Sequence, residues 1–230
     1  MLAYRAEVAR ATVLVLGESC TGFVAEAPDL VVTAAHCIPY PKRRVDVRGA
    51  AGQTLVARLD RIDRDTDLAL LRLAVVLPVV PLRLSERVPA PGDRLMFVGR
   101  GDRGNKPQLA RVEKLDRCPS LPRVPNAVFT SVAARPGDSG APLVDANLRV
   151  VGLVHGGARC HIAAPVATLA RQLAHEQRTI LARPERSPGP WLPFDDPLFE
   201  GRWLTAPDSP GAELWWEHSQ RAEVDGSTES

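Results

Sequence analysis

Short apolar runs bounded by Gly, Pro and Asp recur through residues 11–154, among them ATVLVL, GFVAE, DLVVT, RVDVR, LALLRL, RLMFVG, AVFTS and LRVVGLV. Runs of this length between turn formers predict strands, and about a dozen in succession predict an all-β sandwich or barrel. The opening stretch MLAYRAEVARATVLVLGESC holds one such run and is expected to supply the first strand. The period changes once. From residue 165 to 181, Val166, Leu169, Leu173 and Ile180 fall on one helical face behind Pro165, which predicts a closing amphipathic helix. There is no internal repeat.

Neither period continues beyond Arg183. All four tryptophans (Trp191, Trp203, Trp215 and Trp216) and seven prolines lie after it. Charge divides at the same place: residues 1–183 carry 26 Lys and Arg against 17 Asp and Glu, and residues 184–230 carry 3 against 10. The reading is a basic folded domain, residues 1–183, followed by an acidic Pro- and Trp-rich tail, residues 184–230. Acidic, proline-rich segments tend to stay unfolded, but the tryptophans suggest docking onto an apolar surface of the body or of a partner.

At 230 residues the chain can bury a large core, and no apolar run approaches the length of a membrane span, so a soluble protein is expected. The apolar run near the start sits too late for a secretory signal and lacks a small-residue cleavage site. That favours the cytoplasm. His161, His175 and His218 have no partners at ligand spacing, so no metal is expected. A glycine-rich phosphate loop is missing too, and no cofactor is expected. Arginines are scattered along the strands without interleaved aromatics, which argues against a nucleic-acid surface.

The chemistry concentrates in ARPGDSGAPLVDA, residues 134–146, where Asp138 and Ser139 sit between Gly137 and Gly140. Two glycines suit a tight turn, and Asp and Ser are ordinary turn residues. A serine at such a turn becomes a nucleophile if a base takes its proton and a carboxylate orients that base. His36, at the end of the strand in LVVTAAHCIP, can be the base. Asp67, directly before the apolar run in DRDTDLALLRL, can be the carboxylate. Asp63 and Asp65 compete with it but are expected to face water.

TAAHC, DLALL and GDSGAP, in that order, resemble the chymotrypsin-like (trypsin-like) serine proteases over residues 9–181. The short intervals between motifs, FTSVAARPGDSGAPLV and HIAAPVATLARQL are most similar to the bacterial HtrA/Deg branch. The resemblance implies a double β-barrel with His36, Asp67 and Ser139 as catalytic residues in its seam. It also implies an oxyanion hole from the backbone N–H groups of Gly137 and Ser139, and peptide-bond hydrolysis of a protein or peptide substrate through an acyl-enzyme. The alternative is a catalytically idle protease fold serving as a binding module. Ala133, Ala134, Arg135, His155, Gly156 and Gly157 would line the substrate pocket, with no acid at Ala133 to select Lys or Arg. A small or aliphatic preference is expected, or an acidic one if His155 and Arg135 or Arg159 face the substrate. Cys20 and Cys37 match a family disulfide beside the base, and Cys118 with Cys160 would brace the pocket. Bridged cysteines would favour an exported protein, so localisation stays open. The tail is too short for the PDZ domain that usually follows in the HtrA branch. Digestive members pair the aspartate matching Asp138 with a cleaved Ile-Val-Gly-Gly start, which is not found here. Asp138 is therefore expected to be bonded within the body, and the uncut chain to be competent.

Overall fold

The computed structural model describes residues 2–100, 106–155 and 162–181, all within the compact unit Met1–Ala182. Gly156, Gly157, Arg159, Cys160, His161, His218 and the tail with its tryptophans lie outside the described residues.

The chain opens with a helix, α1 (Leu2–Ala11), rather than with the expected strand. Leu, Ala, Arg and Glu are good helix formers, and Val8 and Ala11, three apart on one face, are both fully buried. The strand follows at once as β1 (Thr12–Val15), where β-branched residues begin. Then come β2 (Cys20–Val24), β3 (Leu30–Ala34), β4 (Arg44–Arg48), β5 (Thr54–Asp63) and β6 (Leu68–Leu73). These strands close a first barrel in the order β1-β2-β3-β6-β5-β4.

A two-residue strand, β7 (Arg83–Leu84), leads into β8 (Arg94–Phe97), β9 (Gln108–Asp116), β10 (Ala127–Thr130), β11 (Pro142–Val144), β12 (Arg149–His155) and β13 (Ile162–Pro165). Pairing of β11 with both β8 and β12 closes β11-β8-β9-β10-β13-β12 into a second barrel, with β7 added in parallel to β12. The protein is thus an all-β double barrel of chymotrypsin type, as expected. Helix α2 (Ala167–Leu181) follows, with Leu169 and Ala170 buried, Leu173 packed beside them and Val166 buried just ahead of its first turn. Among the described residues no helix is long and apolar enough to cross a membrane.

Burial explains the sequence patterns. Strand β4 alternates exposed and buried residues because one face meets solvent, whereas β2 and β3 are buried throughout. The second barrel is filled by Leu95, Phe97, Val112, Val128, Leu143 and Val151. Beneath its β10–β13 side lies a smaller cluster around Cys118, Leu121 and Val124. The core of the first barrel does not stop at its own wall. It continues through Val144, Val150 and Leu153 of the second barrel into Leu169 of α2.

Candidate active site

Antiparallel register brings His36 to Asp67. Strands β3 and β6 pair from Leu30 with Arg72 to Ala34 with Leu68, so the end of one meets the start of the other. Beyond Ala34 the chain makes a single 3-10 turn, Ala35–Cys37, that lifts His36 out of the strand. The Ala35 N–H donates to the Asp67 carbonyl at 3.1 Å, and the Arg64 guanidinium braces the turn from outside by donating to Ile38 O at 3.1 Å. Asp67 sits just before β6 with φ +57°, a left-handed conformation that Asp tolerates better than most residues. That twist turns its carboxylate inward, where the residue is 4% exposed. Asp63 and Asp65 remain exposed: Asp63 caps its own turn through the Asp65 and Thr66 N–H groups, and Asp65 pairs with Arg123.

The imidazole lies on the carboxylate. His36 Nδ1 is 2.8 Å from Asp67 Oδ2 and 3.0 Å from Oδ1, and the His36 backbone N–H donates to Oδ1 at 2.9 Å. A carboxylate only accepts, so Nδ1 carries the hydrogen and Nε2 is left as the basic nitrogen. Burial pushes the Asp67 carboxyl upward, but hydrogen bonds from His155 and His36 and the charge of His36 outweigh it and hold Asp67 well below the usual carboxylate range.

Ser139 stands on the loop between β10 and β11. Arg135, Pro136, Gly137 and Asp138 form a β-turn closed by the Asp138 N–H donating to Arg135 O at 2.9 Å. Pro at the second position and Gly137, at φ +89°, at the third are the residues a type II turn requires. The Asp138 carboxylate folds back to accept the Arg135 N–H at 2.8 Å and is 1% exposed. Its internal bonding matches the expectation, through the backbone of Arg135. A side chain at Gly99 would meet Asp138 Oδ1, and one at Gly140 would meet Thr21 O, so both glycines are there because of close approach.

Thr21, which the sequence reading passed over, fastens this loop to the first barrel. Its hydroxyl donates to Gly137 O at 2.6 Å and accepts the Arg100 N–H at 2.7 Å, while its N–H donates to Ser139 O at 2.8 Å. The neighbouring Cys20 is disulfide-bonded to Cys37, next to His36, across a Cα separation of 6.0 Å. Two consecutive residues of β2 therefore hold both the histidine turn and the serine loop. Among the described residues His36 bonds to Asp67 and not to Ser139. In ligand-free sites that contact is commonly long until substrate arrives.

Gly140 N–H donates to Val154 O and Val154 N–H to Ala141 O, which lays the end of β12 beside the serine loop. His155, expected on the pocket wall, turns its Nδ1 to Asp67, 2.5 Å from Oδ2. The signal was the GLVH end of β12, whose register could not be counted from sequence alone. Ala133 and Ala134 are half-buried and Arg135 is exposed. Cys118 is also disulfide-bonded, and Cys160, its expected partner, lies outside the described residues. His36, Asp67 and His155 bring three polar side-chain atoms within 4.8 Å of one another. Sequence spacing hid this set, because the histidines stand 31 and 88 positions from the aspartate.

Known proteins share this fold and part of its sequence. The serine protease HTRA2 of Drosophila pseudoobscura pseudoobscura, a mitochondrial protein, is 34% identical over 143 residues, covering 58% of this chain and 33% of its own length. The chain spans about a third of the length of the curated relatives it matches. Among solved structures, the inactive form of the Rv3671c protease of M. tuberculosis H37Rv superposes with TM-score 0.62 at 26% identity, covering 75% of this chain and 91% of that one. Deg5 superposes with TM-score 0.60 at 23% identity over 74% and 90%, a likeness of fold alone. The family of trypsin-like peptidase domains matches residues 20–153, a span that runs from the bridged Cys20 past Ser139 into β12. A match over more than half of the 230 residues shows that the chain belongs to that family.

Proposed function

We propose that the chain is a serine endopeptidase in which His36 is the general base, Asp67 orients it and Ser139 is the nucleophile. The observation that supports this best is the His36 imidazole held through Nδ1 on a buried carboxylate, which leaves Nε2 as the base. Ser139 would attack the scissile carbonyl while His36 takes its proton. The N–H groups of Gly137 and Ser139 would then stabilise the oxyanion, each worth roughly 3 to 4 kcal/mol of barrier. His36 would return the proton to the leaving amine, and water would hydrolyse the acyl-enzyme by the same route.

The uncut chain is competent in this reading, because the Asp138 carboxylate is already bonded to the Arg135 N–H. Small or aliphatic side chains are preferred before the cut, since Ala133 offers no acid and His155 is turned toward Asp67. A fluorophosphonate probe should label the wild type and not Ser139→Ala. Failure to label a folded wild type would leave the fold as a binding module. A peptide library cut mainly after Lys or Arg would overturn the specificity, and a requirement for prior proteolysis would overturn the competence of the uncut chain.

A further inference from the structure

We infer that His155 is a positioning residue that shares Asp67 with His36, so that one carboxylate oxygen serves two imidazoles. The inference rests on the protease reading for its kinetic consequences, but not for its geometry. Asp67 Oδ2 lies 2.5 Å from His155 Nδ1 and 2.8 Å from His36 Nδ1. The two rings meet edge to face, with centroids 4.9 Å apart and planes at 77°. The His155 side chain is 13% exposed and that of Asp67 6%, against 39% for His36. One histidine is therefore enclosed and the other opens to solvent.

A carboxylate has no hydrogen to give, so both Nδ1 atoms must carry one. No lysine or arginine bonds to Asp67 among the described residues. Its second fixed side-chain donor is His155, held by the pairing of β12 with β11 and β13. That donor does two things. It stops the carboxylate from rotating away from His36, and it draws off part of the negative charge that His36 would otherwise receive alone. Among the described residues, the titratable side chains in contact with His155 are Asp67 and His36. Strands β11 and β13, on either side of β12, carry none.

Removal of the donor has a defined sign. With Asp67 bonded to His36 alone, the imidazolium of His36 is better stabilised and its proton is held to higher pH. The acid limb of kcat/KM should therefore move up in His155→Ala, a response that a purely structural residue would not give. Loss of orientation should lower kcat about ten- to a hundredfold, the worth of one hydrogen bond to a charged group, with KM little changed. His155→Asn keeps an N–H at the Nδ1 position and should recover most of the rate.

The full-length chain carrying Ser139→Ala, with 15N-labelled histidines, provides the readout that needs no turnover. NMR should show two strongly deshielded Nδ1 protons and two rings with bare Nε2. Adding His155→Ala should remove one proton and raise the titration midpoint of His36. A single deshielded proton in Ser139→Ala, or a His36 midpoint and kcat unmoved by His155→Ala, would overturn the inference. If His155→Ala does not fold, the proton count and the His155→Asn profile decide. If the wild type is not labelled by the fluorophosphonate, the protease reading fails while the proton count still tests His155.

Discussion

Asp67 concentrates several unfavourable features in one residue: a left-handed backbone, near-complete burial and a negative charge. Each costs free energy, so the three N–H donors around it have to hold the charge in place. Asp67→Asn should keep the fold but drop kcat about 10⁴-fold, because an amide presents an N–H where His36 needs an acceptor for Nδ1. Stability should follow pH in a fixed direction. The folded carboxyl lies below its unfolded value, so its contribution is complete above about pH 4 and is lost as pH falls through the acid range. Denaturant midpoints between pH 5 and pH 2 should fall steeply in the wild type and less steeply in Asp67→Asn. Thr21→Val keeps the shape of a buried residue but leaves Gly137 O and the Arg100 N–H without their partner. A loss of about 1 to 3 kcal/mol is expected, with kcat/KM down roughly tenfold as the Gly137 turn loosens, and Thr21→Ser should restore both. Unchanged turnover in Thr21→Val would remove Thr21 from the machinery. At this scale the sequence was most legible where a motif is contiguous. PGDSG reads as a turn with a serine because every residue the turn needs is local. The partnership of Asp67 with His155 spans 88 positions and depends on a strand register that no local signal reveals.

Elements carry these residues to one another, and β2 does most of it through Cys20 and Thr21. The bridge from Cys20 to Cys37 closes a separation of 17 residues, for which chain entropy gives about 3 kcal/mol. In a domain of this size that corresponds to a fall in Tm of roughly 6 to 12 °C on removal. The Cys20→Ser/Cys37→Ser double variant should show that fall by calorimetry together with reduced kcat, since Cys37 adjoins His36. Loss of stability with full kcat would make the bridge a staple without influence on the histidine turn. Strands were readable from their composition: runs such as DLVVT and LALLRL are largely apolar because β3 and β6 are buried on nearly every side. Helix α1 was missed for a physical reason. MLAYRAEVAR has strong helix formers but little apolar periodicity, so the adjoining VLVL run dominated the reading although the helix reaches to Ala11. Helix α2 was legible because its apolar face repeats at helical spacing over several turns.

Over the whole molecule, the candidate site sits where two barrels meet, and its geometry survives only if they stay together. Apolar packing makes that connection: Val144, Val150 and Leu153 belong to the second barrel yet lie in one buried cluster with Phe23, Val32 and Leu71 of the first. Leu153 is fully buried and lies two residues before His155 on β12, so it joins the shared core to the site. Two barrels with separate cores would unfold independently; a shared core predicts one cooperative transition for residues 2–181. Leu153→Ala should cost about 2 to 5 kcal/mol through lost burial and a cavity. It should also shift unfolding of both barrels by the same amount, because the cavity opens in the cluster they share. Hydrogen exchange can follow amides of β3 and β12 separately, and both should lose protection together. If β12 alone is deprotected while β3 keeps its wild-type protection, the barrels are independent folding units, and the approach of His36 to the serine loop would depend on Thr21 and its hydrogen bonds rather than on the core.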